Sequence, residues 1–190
     1  QFPSEYEIDY VRVWSKDEYV IFGPIADTFV ISSSPTMNFG SLDTLYGDGT
    51  PVKVSYIKFD TTSLRGKSIA SAKLRIRTTS DPDAGSSNSQ TVKLINDSIW
   101  NENTLTYDNK PTISSETTLG NIANTLPDMT YDIPLDTSLL QPKIGGTFTL
   151  VLDSTGDDGF YFYSKESGPD YLQLIIAVPH NRVQLPQLLK

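Results

Sequence analysis

Short stretches of alternating apolar and polar residues, cut by turn-forming clusters, recur along the whole chain. No long segment carries a 3.6-residue apolar period. The strand candidates are Glu7–Trp14, Thr28–Ser33, Thr44–Tyr46, Val52–Phe59, Ala70–Arg77, Thr91–Asn96, Thr130–Pro134, Phe148–Asp153, Gly159–Ser164 and Tyr171–Val178. Gly-, Pro- and Asp-rich turns such as "GDGTP", "DPDAGSSNS" and "DSTGDDG" separate them. Helix is expected only as single turns at Thr62–Leu64 and Thr137–Leu140. Many short strands at this spacing predict an all-β fold, an antiparallel β-sandwich of jelly-roll type.

Charge and composition narrow the function. The 190 residues carry 15 Lys+Arg against 23 Asp+Glu, for a net charge of −8. That disfavours nucleic acid and anionic membrane surfaces as partners. No apolar run reaches the length of a membrane span. There is no cysteine, so neither disulfides nor thiolate metal sites are available, and the one histidine is His180, in the tail, so the commonest general base is almost missing. The chain has no initiating Met and no signal-peptide pattern, and is expected to be cut from a longer one.

The few cations are concentrated. Between Pro51 and Arg77 lie seven bases and one acid, a +6 island; the rest of the chain carries −14. Strand periodicity divides them by face. In "SYIKFD", Tyr56 and Lys58 oppose Ile57 and Phe59; in "AKLRIR", Lys73, Arg75 and Arg77 oppose Ala72, Leu74 and Ile76; in "TVKLI", Lys93 opposes Val92 and Leu94. If these strands share one sheet, its outer face is basic with a tyrosine. Such a face suits sulfate or uronate groups, which Arg grips with paired hydrogen bonds. The other reading is a solvated face whose cations pair with acidic strands.

Aromatic residues add to this. In "GFYFYSKES", Phe160 and Phe162 suit the core, leaving Tyr161, Tyr163 and Lys165 outward, where tyrosine rings can stack on sugars. "SIWNENTLTYDNKPT" reads either as a binding loop or as a packed loop anchored by Trp100. The acidic loops offer Asp27, Asp153 and Asp157 as ligands for one structural calcium, although local turn chemistry accounts better for most such aspartates.

"EYEIDYVRVWS", Glu5 to Ser15, resembles the last strand of glycoside hydrolase family 16 catalytic domains. Its "EID" mimics the start of that family's catalytic signature, but the second acid is absent, so no catalysis is expected from it. From Ala26 to Val178, "ADTFVISSSPTMNFGSLDTLYGDG", "VKVSYIKFDTTSLRGKSIASAKLRIR", "IWNENTLTYDNKP" and "GFYFYSKESGPDYLQLII" follow in an order similar to the DNRLRE-type domain, carbohydrate-binding module family 96. The resemblance implies a non-catalytic β-sandwich that binds polysaccharide, in a secreted or cell-surface bacterial protein, as a monomer tethered to a catalytic domain. Alginate is the family's associated ligand. A family 16 neighbour points instead to a red-algal galactan such as agar, porphyran or carrageenan. A structural spacer or adhesion module without glycan affinity is the alternative. The expected organisation is a hydrolase remnant plus linker at 1–23, the module at 24–178 and a tail, compatible with vector origin, at 179–190.

Overall fold

The structure is a computed structural model and describes residues 17–95, 98–113 and 117–179. It contains eleven strands: β1 (Glu18–Phe22), β2 (Ala26–Ile31), β3 (Thr44–Gly49), β4 (Val52–Asp60), β5 (Ser71–Arg77), β6 (Gln90–Ile95), β7 (Thr118–Ile122), β8 (Thr130–Leu135), β9 (Thr147–Ser154), β10 (Phe160–Tyr163) and β11 (Leu172–Val178). One α-helical turn, α1 (Thr137–Leu140), is capped by Asp136, whose carboxylate accepts from the Ser138 and Leu139 amides. A 3-10 turn occupies Thr62–Leu64. Both turns fall where the sequence places them.

Two antiparallel sheets face each other. The smaller runs β1-β11-β5-β8; the larger runs β10-β3-β4-β9-β6-β7, with β2 also on β4. Alternation fills the space between them. Leu74 and Ile76 of β5 and Leu174 and Ile176 of β11 meet Ile57 and Phe59 of β4 and Leu150 and Leu152 of β9. Each of these side chains is fully buried, which supplies the main hydrophobic driving force.

β4 has three partners, because β3 and β9 share one of its edges. β3 pairs only at Asp48↔Lys53 and Gly49↔Val52, and β9 takes over from Ser55. Where β3 leaves, the buried Ser55 hydroxyl donates to the Tyr46 carbonyl (2.7 Å) and accepts from the Tyr46 amide (3.0 Å). The departing backbone therefore keeps its hydrogen bonds. β3 then pairs with β10, and Phe162 of β10 bridges to Thr78. That bridge lies just past Leu172↔Ile76, where the β11–β5 ladder ends. β10 thus stitches the two sheets together at this end, as expected of a jelly-roll sandwich.

Two features depart from the sequence reading. β1, assigned there to a linker, pairs with β11 from Glu18↔Val178 to Phe22↔Leu174. Its Val20 and Phe22 pack on the core, so the sandwich begins before residue 24. β4 and β9 are buried on both faces. A second cluster of Val30, Val54, Tyr56, Ile95, Leu105 and Val151 lies on the outer side of the larger sheet, under Trp100. The family 16-like strand Glu7–Trp14 and most of the tail lie outside the described residues.

Candidate functional site

The cations expected on one face are divided between two sheets. Lys73, Arg75 and Arg77 stand on the outer face of the smaller sheet, each partly exposed. Register brings β8 alongside, with Arg75 directly opposite its one acid, Asp132. Arg75 holds Asp132 with two parallel bonds, Nε to Oδ1 at 2.7 Å and Nη2 to Oδ2 at 3.0 Å. Lys73 donates to the same Oδ2 at 2.5 Å. The Arg75 hydrogen bonds, chiefly, hold the Asp132 carboxyl down to about 2. Arg77 pairs with Asp128 at 2.7 Å. Three cations against two carboxylates leave one net positive charge on this strip.

Beside it runs a row of tyrosines. Tyr161 and Tyr163 alternate with the buried Phe160 and Phe162, as the sequence indicates, and are partly exposed. Tyr163 packs on Tyr171 with ring centres 4.7 Å apart, and the Arg77 guanidinium lies 5.8 Å from the Tyr171 ring. Tyr161 packs on Tyr46 at 4.8 Å, and the Lys53 ammonium lies 5.1 Å from Tyr46 and 5.7 Å from Tyr161. The Tyr46 ring is braced from below by Phe29, itself stacked on Phe39. Four tyrosines with Arg77, Arg75 and Lys73 therefore form one accessible strip, with Lys53 at its far end. Tyr46, Tyr171, Lys53 and Asp132 are absent from the sequence-derived set. Tyr46 and Asp132 carried a signal, since each sits at an alternate position of an identified strand. Tyr171 lies one residue before β11 and carried none.

Tyr56 and Lys58 do not join this strip. They lie on the outer side of the larger sheet, on β4, beneath the 98–113 loop. Tyr56 is fully buried and donates to the Pro111 carbonyl at 3.1 Å; burial pushes its hydroxyl pKa well up. The Lys58 ammonium donates to the Trp100 carbonyl and lies 4.3 Å from the Trp100 ring. Trp100 donates from Nε1 to the Thr149 hydroxyl at 2.9 Å. This loop is thus packed down by Trp100 onto the outer side of β4 and β9. Lys93 pairs with Asp153 at 2.6 Å, also on the larger sheet.

The three aspartates considered for calcium do not assemble. Asp153 is occupied by Lys93, and Asp157 is exposed in the β9–β10 turn. Asp27 instead meets Glu102 and Glu166, with carboxylate oxygens within 4.8 Å of one another. Lys165, expected beside the tyrosines, belongs to this cluster. Its ammonium pairs with Glu102 at 2.9 Å and with Glu166, and its amide donates to Asp27 at 2.8 Å. The Asp27 amide in turn donates to Glu102 at 2.7 Å. Burial raises the Asp27 carboxyl to about 7. The cluster ties β2, the Trp100 loop and the turn after β10 together, and it carries its own cation.

The partly exposed row of aromatic rings with polar hydroxyls and cations is what a sugar chain needs: faces for stacking and donors for its oxygens. Over 130 residues the chain is 27% identical to a gellan lyase from Bacillus sp, a match covering 65% of this chain and 5% of that much longer protein. Residues 18–178 match carbohydrate-binding module family 96, a span that begins with β1 and ends with β11. The chain belongs to carbohydrate-binding module family 96.

Proposed function

We propose that the module binds an anionic polysaccharide along the outer strip running from Lys73 through Arg75, Arg77, Tyr171 and Tyr163 to Tyr161 and Tyr46. The observation that carries this is the continuity of partly exposed tyrosine rings with cations on one outer surface. Rings would stack on sugar faces, while Arg and Lys would take sulfate or carboxylate oxygens. The ligand class is a red-algal galactan, with the charged porphyran and carrageenan ahead of agar, and alginate next. The family 16-like stretch at Glu5–Ser15 supports a galactan-degrading parent enzyme. The protein is then a bacterial, secreted or surface-held one, with this module a tethered monomer.

Affinity electrophoresis through gels containing agar, porphyran, carrageenan, alginate or gellan tests this. Retardation by a charged polymer should fall steeply with salt. Arg75→Ala with Arg77→Ala should weaken it about tenfold, the loss of roughly 1.4 kcal/mol from two exposed ionic contacts. Salt-independent binding that survives this double change but is lost in Tyr163→Ala would point to a neutral ligand. One observation favours a second reading, a spacer or adhesion module without glycan affinity: Lys73, Arg75 and Arg77 are each already paired with a carboxylate. No retardation by any of the five polymers would establish it.

A further inference from the structure

We infer that Asp132 is a built-in competitor for the anionic groups of the ligand, and that it sets the selectivity of the strip for polymers over isolated sugar acids. This rests on the reading that the strip holds an anionic glycan.

The geometry is that of a ligand already bound. A carboxylate grips the Arg75 guanidinium through two parallel bonds at 2.7 and 3.0 Å, and its second oxygen also receives Lys73 at 2.5 Å. An incoming uronate or sulfate would seek the same two donors with the same planar or tetrahedral oxygens. Asp132 sits directly opposite Arg75 across the β5–β8 ladder, so it cannot leave the neighbourhood when displaced. Its side chain can only rotate aside, leaving its charge a few ångströms from the newcomer.

The consequence is an exchange with a penalty. A single anion replaces one carboxylate on Arg75 by another and meets a displaced like charge, so it gains little. A polymer offsets that penalty with contacts elsewhere along the strip, at Arg77 and on the Tyr163 and Tyr171 rings. Partial exposure of Lys73, Arg75 and Asp132, at 35, 34 and 32% of their side chains, leaves the exchange open to solvent and ligand. Asp132 is therefore a specificity determinant that need not touch the bound glycan.

The test compares wild type with Asp132→Asn and Asp132→Glu by calorimetric titration with carrageenan, alginate, agar and free galacturonate. Asp132→Asn should bind the charged polymers about fivefold more tightly, with a steeper salt dependence, and should acquire measurable affinity for free galacturonate. Affinity for agar should not change, and Asp132→Glu should behave as wild type. Unchanged or weaker binding of charged polymers by folded Asp132→Asn overturns the inference, whether or not wild type binds them. Adding Arg75→Ala to Asp132→Asn separates the two ideas. If the gain survives, it did not come through the guanidinium, and the inference fails even though glycan binding stands. Should Asp132→Asn not fold, the Arg75 Nε–H resonance of wild type reads the same exchange. It should shift during titration with alginate oligomers; no shift at saturation overturns the proposal.

Discussion

Replacing Trp100 by alanine separates a packed loop from a binding loop. Trp100 is 8% exposed and covers the outer side of the larger sheet, where its ring meets Tyr56 edge-on at 6.2 Å. Truncating a buried Trp costs about 3–5 kcal/mol. The Thr149 hydroxyl, fully buried, loses its indole donor, adding roughly 1 kcal/mol. Lys58 loses the ring face beneath its ammonium, worth about 1 kcal/mol more. Relaxation of the loop recovers part of this, so a loss of about 4 kcal/mol is expected. For a domain of this size each kcal/mol moves Tm by about 2–4 °C, giving a fall of roughly 8–16 °C. Scanning calorimetry or far-UV dichroism reads it directly. The variant, kept well below its new Tm, should bind glycan as wild type does, because Trp100 packs over β4 and β9, whereas the tyrosines stand on β3, on β10 and just before β11. A Tm drop below about 3 °C would refute the packing argument, and loss of binding by a folded variant would refute the location of the site.

Asp27 predicts a pH effect. Burial, chiefly, lifts its carboxyl from 3.8 to about 7, so between those values the folded protein retains a proton that the unfolded chain has released. Stability should fall as pH rises through that window, by up to about 4 kcal/mol. Glu166 offsets part of it: burial pushes its carboxyl up, but hydrogen bonds from Lys165 and Ser164 win and hold it below its ordinary value. Asp27→Asn should flatten the dependence of Tm on pH between 5 and 8 and raise Tm at pH 8; an unchanged slope would count against the burial argument. Gly145 has φ of +89°, and a Cβ there would lie 2.6 Å from the Arg65 Cα, whereas Gly66, at φ +75°, faces open space. Gly145→Ala should cost more than 2 kcal/mol and Gly66→Ala about 1 kcal/mol in denaturant titrations; equal costs would show that the contact with Arg65 is irrelevant.

The strands were legible because most of them bury one face, and a period of two writes that into the residues. β5 shows it cleanly, with Ala72, Leu74 and Ile76 inward and Lys73, Arg75 and Arg77 outward. β1 and β7 escaped notice for local reasons. β1 is five residues long and ends at Gly23-Pro24, and β7 carries Gly120 at its centre, where a Cβ would meet the Pro134 carbonyl oxygen at 2.3 Å. The covering of β4 was not legible, since the residues that bury Tyr56 and Lys58 lie more than forty positions away along the chain. The charge island dissolved for the same reason. Asp132, Asp128 and Asp48 come from other strands and turns, and only register brings them to Arg75, Arg77 and Lys53. Alternation reports which face a residue takes, but not what lies across the ladder.

The pairing of Glu18 with Val178 has a mechanical consequence. The chain enters and leaves the sandwich side by side, at adjacent positions of neighbouring antiparallel strands, roughly 5 Å apart. Sequence flanking both points therefore meets at one corner, and the body of the module projects from that corner as a side branch. It adds almost nothing to the end-to-end reach of a protein that contains it. Tension between the flanking segments would act across the first rung of the β1–β11 ladder and open it like a zipper, one rung after another, from Glu18 towards Phe22. The module would then yield at low force by peeling its edge strand, while β10 and β3, which carry Tyr161, Tyr163 and Tyr46 and belong to the other sheet, kept their shape.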